Sequence, residues 1–184
     1  MRVQQQADGN WQYADNDCVV VDPARVTAAM VRERAVRLIP KAAVGLAPHG
    51  TTLVNIETVM WADAPRHQAL APVTILGKRV VVSLVLEKVD WRFGDGKSEN
   101  GGPAGKPYDD KHDPCKSRQC TQYFGHVYER TGKVTVAATA TWHASFTVDG
   151  GATVDIPGTI DGPQATADIA VKQARGVLVP NPGD

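Results

Sequence analysis

At 184 residues, with 42% hydrophobic but only 6% aromatic content, the chain can bury one core of ordinary size and has few aromatic side chains to spare outside it. Its 20 Lys and Arg balance its 20 Asp and Glu, which argues against nucleic-acid binding, because that needs a net basic surface to displace phosphate counterions. No apolar run reaches the roughly 18 residues of a membrane span, and the polar start Met1 to Asn10 lacks the apolar centre of a signal peptide, so secretion would imply a mature fragment or another export route.

Residues 1–50 read as an N-terminal extension. Met1 to Gly9 is a polar lead, and Cys18-Val19-Val20-Val21 is a short β-branched run. Asp22-Pro23 has the form of an N-cap followed by the first helical position and predicts a helix over about residues 23–38. Ala24, Ala28, Val31, Ala35 and Leu38 fall on one face of it. Arg25, Arg32, Arg34 and Arg37 make the other side basic, with Glu33 one turn before Arg37. Such a side is expected to be a solvated face with cations near the negative end of the helix dipole; a dock for an anionic polymer or membrane is the alternative. Pro40 ends the helix, and Lys41 to Gly50 reads as an Ala/Gly/Pro linker.

Residues 51–180 read as strands. Thr52 to Trp61 is expected as one strand with Val54, Ile56, Thr58 and Met60 on one face. Asp63 to Ala71 is a loop around Pro65. Val73 to Leu76, the Gly77-Lys78 turn and Val80 to Leu86 form a hairpin, and Val89 to Phe93 is the next strand. Asp95-Gly96 marks a tight turn. Lys97 to Cys120 is a long polar insertion, a kind of segment that is usually functional or mobile. From Val134 to Val148, Val134, Val136, Ala138, Ala140, Trp142, Ala144, Phe146 and Val148 alternate with Thr135, Ala137, Thr139, Thr141, His143, Ser145 and Thr147. That period-two run is too long for one flat strand, so it should bend or change sheet midway. Thr153 to Ile156 and Ala165 to Val179 supply the last strands. The pattern predicts an all-β, two-sheet sandwich of at least about seven strands, with one N-terminal α-helix.

Three segments carry a resemblance. Trp91-Arg92-Phe93-Gly94-Asp95-Gly96 is followed by Gly125-His126-Val127-Tyr128 and then by Gly132-Lys133-Val134-Thr135-Val136. Together they resemble the PKD (polycystic kidney disease) repeat, an immunoglobulin-like β-sandwich with W-x-F-G-D-G, later G-H-x-Y, then G-x-x-x-V. The resemblance runs over residues 72–148. It implies a core role for Trp91, a turn stabilised by Asp95, a Tyr128 that packs across the sandwich, and a structural His126 held by hydrogen bonds. The long insertion and the helix depart from an isolated repeat. The order of elements is also similar to a set of actinobacterial secreted or envelope proteins of unknown function. Some of those carry a nucleotide-binding label, which does not transfer, since the chain has no G-x-x-x-x-G-K-[ST] loop.

Cys115 and Cys120, with four residues between them, are expected to form a disulfide that staples the insertion, free thiols being the alternative. Zinc is disfavoured, because His112 alone does not complete a ligand set. Cys18 is left over, either buried or paired upstream. Asp95, Glu99, Asp109, Asp110 and Asp113 are weak calcium candidates in an oxygen-rich loop without EF-hand spacing. His49, His67, His112, His126 and His143 are scattered, Ser83, Ser98, Ser117 and Ser145 lack a nucleophile elbow, and Asp109 and Asp110 are adjacent rather than opposed. The expected protein is therefore not an enzyme and needs no cofactor other than calcium. Trp61, Tyr108, Tyr123 and Phe124 are candidates for a sugar-stacking platform or for plugs at the sandwich ends. The resemblance implies an extracellular or cell-surface module for protein–protein or protein–glycan contact. A self-associating component of a surface or phage assembly and a polysaccharide-binding accessory domain remain as alternatives.

Overall fold

The computed structural model describes residues 3–5, 11–13, 25–117 and 120–175. Cys18 to Val21, the Asp22-Pro23 signal, Ala24 and the end of the last predicted strand lie outside the described residues. Along the chain the elements are β1 (Val3–Gln5), β2 (Trp11–Tyr13), α1 (Ala28–Leu38), β3 (Val44–Ala47), β4 (Thr51–Leu53), β5 (Glu57–Ala62), β6 (His67–Ala69), β7 (Val73–Ile75), β8 (Lys78–Arg92), β9 (Ser98–Gly102), β10 (Gly125–Val127), β11 (Gly132–Val148), β12 (Val154–Asp161) and β13 (Ala165–Lys172). Among the described residues the protein is mostly β, with one helix and curled multi-strand sheets.

β8 and β11 are the frame. They pair antiparallel from Ala137 opposite Arg92 to Val148 opposite Val80. The predicted alternation decides which face of β11 is inward: Val136, Ala138, Ala140, Trp142, Ala144 and Phe146 are all buried. Large and small residues are matched across the ladder, with Ala138 opposite Trp91, Ala140 opposite Val89 and Ala144 opposite Leu84, a pattern that lets the layers interdigitate. β11 stays one strand but changes its second neighbour midway. Gly132 to Ala138 pairs with β13, and Thr141 to Phe146 pairs with β12. Shifts of register at Thr141/Trp142 against β8 and at His143/Ala144 against β12 are bulges that let so long a ladder curl. β8 is likewise one strand of 15 residues rather than two, because the bulge at Glu87 absorbs the break in alternation.

The predicted strand Thr52 to Trp61 is two strands. Asn55 takes a left-handed conformation (φ 61) and turns the chain, so that β4 joins β13 in the large sheet while β5 pairs with β3 and β10 in a three-stranded sheet. Thr52 and Thr58 end up buried and facing each other, with Thr58 Oγ1 2.8 Å from Thr52 Oγ1. Ile56, expected on the same face as Thr58 and Met60, is exposed while those two are buried. The linker Lys41 to Gly50 contains β3, the loop around Pro65 contains β6, and the polar lead contains β1, which pairs with β2. One continuous core draws on both sheets and on α1, including Met60, Trp91, Tyr128, Phe146 and Val31.

α1 begins at Ala28, capped by Thr27, whose Oγ1 accepts from the Met30 amide at 3.4 Å. Val31 and Ala35 are buried as expected, but Leu38 is exposed and Ile39, just past the helix, takes the inner place. Full burial of Val31 stabilises the docking by roughly 1.5–3 kcal/mol. Arg32 is not part of a solvated face. Its guanidinium donates to the carbonyls of Thr159 and, at 2.9 Å, Pro157, and so covers the outer edge of β12, which would otherwise be open to strand pairing. Glu33 and Arg37 form the expected pair at 3.1 Å, well exposed, and such a pair contributes at most a few tenths of a kcal/mol.

Candidate functional site

The motif residues that lie far apart in sequence meet at the end of β8. Gly94 follows the strand with φ 82, and Asp95 then closes the turn by accepting the Lys97 amide on Oδ1 at 3.0 Å. Its other oxygen lies 2.8 Å from His126 Nε2 on β10. The two side chains are only 11% (His126) and 21% (Asp95) exposed, so this contact is better shielded than the exposed Lys97–Glu129 pair beside it. The His126 ring stacks on Phe93 (4.0 Å between centroids, 2° between planes) and meets the edge of Tyr128 at 4.8 Å. Tyr128 donates its hydroxyl proton to the Phe93 carbonyl at 3.0 Å. Both carboxylate oxygens of Asp95, the Nε2 of His126 and the hydroxyl proton of Tyr128 are thus engaged by neighbours.

Burial pushes the Asp95 carboxyl up, but the hydrogen bonds from His126 and from the Lys97 amide outweigh it and hold the group below its ordinary value. Burial, and after it the Asp95 charge, raise the Tyr128 hydroxyl far above the usual range. Because the Asp95 pKa is depressed on folding, its contribution is fully present above the unfolded value of about 3.9 and is lost as pH falls through the lower folded value. Asp95→Asn is expected to cost about 1–2 kcal/mol at neutral pH. In urea titrations below about pH 4 the gap between the variant and the natural chain should narrow; a constant gap there would separate the effect from the carboxylate charge.

Trp91 is fully buried, and its indole N–H donates to the Pro103 carbonyl at 2.9 Å. The insertion is thus folded against the body rather than hanging free. It begins with β9, paired to β8, where the Asp90 carboxylate accepts the Gly101 amide at 2.7 Å. It then runs alongside β5, where Ala104 accepts from the Ala62 amide at 2.7 Å. There Cys115 and Cys120 form a disulfide, with 5.2 Å between their α-carbons. Glu57 on β5 accepts the Cys120 amide. Tyr123 accepts the Asp109 amide at 3.1 Å and donates to the Asp113 carbonyl at 2.9 Å. Lys106 lies over the Tyr123 ring and bonds Asp113 at 2.7 Å. Val59, Cys120 and Tyr123 are the buried centre of this second small core, ringed by Ala47, Trp61, Tyr108 and Cys115. With three cysteines in the chain and one bridge, titration of the unfolded, unreduced protein is expected to find one free thiol; three would remove the bridge. Replacing both bridged cysteines by serine should cost about 2 kcal/mol, the entropy of so short a loop.

The calcium candidates are dispersed. Asp95 serves His126, Asp109 binds His112 and the amides of Lys111 and His112, Asp113 binds Lys106, and Asp110 is exposed. Among the described residues, no group of three or more His, Cys, Asp and Glu is placed to hold a metal ion. The aromatic candidates are not presented side by side. Tyr123 is buried and Tyr108 is tilted 59° to it; Phe124 packs on Trp91 at 5.1 Å; Trp61 lies across Gly45, its strand partner on β3. Glu57 and Pro103 carry two of the bonds that hold the insertion, and neither had a sequence signal, since each acts on a residue distant in the chain. A further arrangement invisible in sequence is the row His67, Val85, His143 across three strands, with His143 3.2 Å from Glu87.

The chain matches no family model, no curated protein and no solved structure. Among the described residues no helix is long and apolar enough to cross a membrane.

Proposed function

We propose that this chain is a non-catalytic interaction module of the extracellular space or cell surface, an immunoglobulin-like β-sandwich of PKD type whose contacts are made chiefly with protein. The observation that carries the reading is the closed cluster Phe93, Asp95, His126 and Tyr128. Its acid and imidazole bond each other, its phenol bonds the Phe93 carbonyl, and its rings pack against one another. A catalytic dyad needs room for a substrate beside it, and in this cluster the Phe93 and Tyr128 rings take the space against the imidazole. The stapled insertion supports the location, because disulfides persist in oxidising compartments and are rare in the cytosol. Contact with protein is favoured over glycan because the aromatic candidates are divided between packing roles and do not offer stacked faces to a sugar ring.

The test has two arms. Alkylation of thiols in intact producing cells, before lysis, should modify Cys18 at most, leaving Cys115 and Cys120 to react only after reduction. Modification of all three would place the chain in a reducing compartment. In the second arm the oxidised protein is sedimented with peptidoglycan, chitin, cellulose and intact Gram-positive cell walls. Retention that a soluble oligosaccharide competes away would make this a glycan-binding module, and release of soluble fragments would make it an enzyme.

A further inference from the structure

Where α1 meets the far end of the long ladder, the structure leaves an open groove of about 520 Å³, within the range of small-molecule sites. Its floor is apolar: Val26 and Phe146 are buried, Val148 is half-buried, and Val154 is 47% exposed. Two cations, Arg25 and Lys78, complete the lining, and no carboxylate does. Among the described residues neither cation forms an ion pair, whereas Arg37 on the same helix is neutralised by Glu33. The first turn of α1, also in the lining, carries no acidic residue, so the positive end of the helix dipole adds to the same field. Leu76, two residues before Lys78, and Met30, four residues after Val26, are further exposed apolar side chains of the segments that build this end.

Exposed apolar surface beside unneutralised cations is the complement of one kind of ligand. We propose that the groove binds a single-chain anionic amphiphile, with its aliphatic chain on Val26, Phe146, Val148 and Val154 and its carboxylate between Arg25 and Lys78. Burial of the chain supplies the affinity, and the charge-assisted contacts select the head group. The proposal stands apart from the interaction-module reading: it uses the opposite end of β8 from the Asp95 turn and does not depend on where the protein resides.

Isothermal titration of the full, oxidised chain with decanoate tests it, with butyrate and decyltrimethylammonium as the matched probes. Decanoate should bind one to one, and each matched probe at least about ten-fold more weakly, since one lacks the chain and the other reverses the head charge. The double variant Arg25→Gln/Lys78→Gln should lose about ten-fold for decanoate, and binding to the natural chain should weaken as salt rises from about 0.05 M to about 0.5 M. Val154→Glu, an exposed site where folding is not at stake, should abolish binding by placing a carboxylate in the groove. Equal affinity for the cationic probe overturns the proposal, as does an unchanged affinity in both variants. So does capture by phosphatidylglycerol vesicles without decanoate binding, which would mark a surface contact instead of a groove ligand.

Discussion

Replacing Trp91 by alanine should destabilise the protein by about 3–5 kcal/mol, the usual range for truncating a buried aromatic. Trp91 heads the fully buried side chains by volume. It sits opposite Ala138, whose methyl group cannot fill the space the indole would vacate. The ring also packs on Phe124 at 5.1 Å and anchors the insertion through Pro103. Against a typical total stability of about 5–15 kcal/mol, such a loss moves the urea midpoint by a large fraction while leaving the slope unchanged. Trp91→Phe separates the two contributions. It keeps a ring in the core and removes the donor to Pro103, so it should cost about 1–2 kcal/mol. It should also loosen the insertion, read as faster amide exchange at Gly102 and Ala104, without unfolding the long ladder. A Trp91→Ala cost below about 1 kcal/mol would mean that the end of β8 is not registered against β11 as described.

What the sequence made legible follows from how local each cause is. β11 announces itself because alternation is a property of the strand itself, and burial follows it from Val136 to Phe146, with Ala137 and Thr141 buried as well on the other face. β8 reads as two strands in the sequence because the bulge at Glu87 interrupts its alternation. The break at Asn55 was legible only weakly: a single Asn, tolerant of left-handed backbone, interrupts an otherwise β-prone run, and the meeting of Thr52 with Thr58 that accompanies the turn is a contact between separate strands. β3 was hidden for the opposite reason. Its Gly45 has poor strand propensity but is required, since the Trp61 indole occupies the place a side chain would fill. β9, Ser-Glu-Asn-Gly-Gly, is a strand only because Asp90 and the β8 edge make it one. The candidate site divides in the same way. The glycine-flanked Asp95 turn was visible, and so was the cysteine pair. The partners that give them structure, Glu57 for Cys120 and Pro103 for Trp91, are contacts between distant residues with no local trace.

Gly94→Ala should cost roughly 3–4 kcal/mol, more than any other change in the Asp95 turn, and the reason can be separated into two parts by its neighbour. Both Gly94 (φ 82) and Gly96 (φ 93) hold left-handed backbone, which charges a non-glycine residue about 1–2 kcal/mol. A β-carbon at Gly96 meets nothing within 4 Å, whereas one at Gly94 would lie 2.6 Å from the Thr135 carbonyl oxygen and 2.9 Å from its amide nitrogen. Those are backbone atoms of β11, bound into its ladder with β13, and they cannot rotate away as a side chain would. Gly96→Ala should therefore cost only the conformational part. The remaining difference, about 1–3 kcal/mol, measures how closely the turn is pressed on β11. Because Phe93 and Asp95 flank Gly94, relief of the clash must pull both from His126, and the loss should appear together with a weaker acid dependence of stability. Equal costs at the two glycines would place the turn away from β11 and leave the Asp95–His126 contact without the support that positions it.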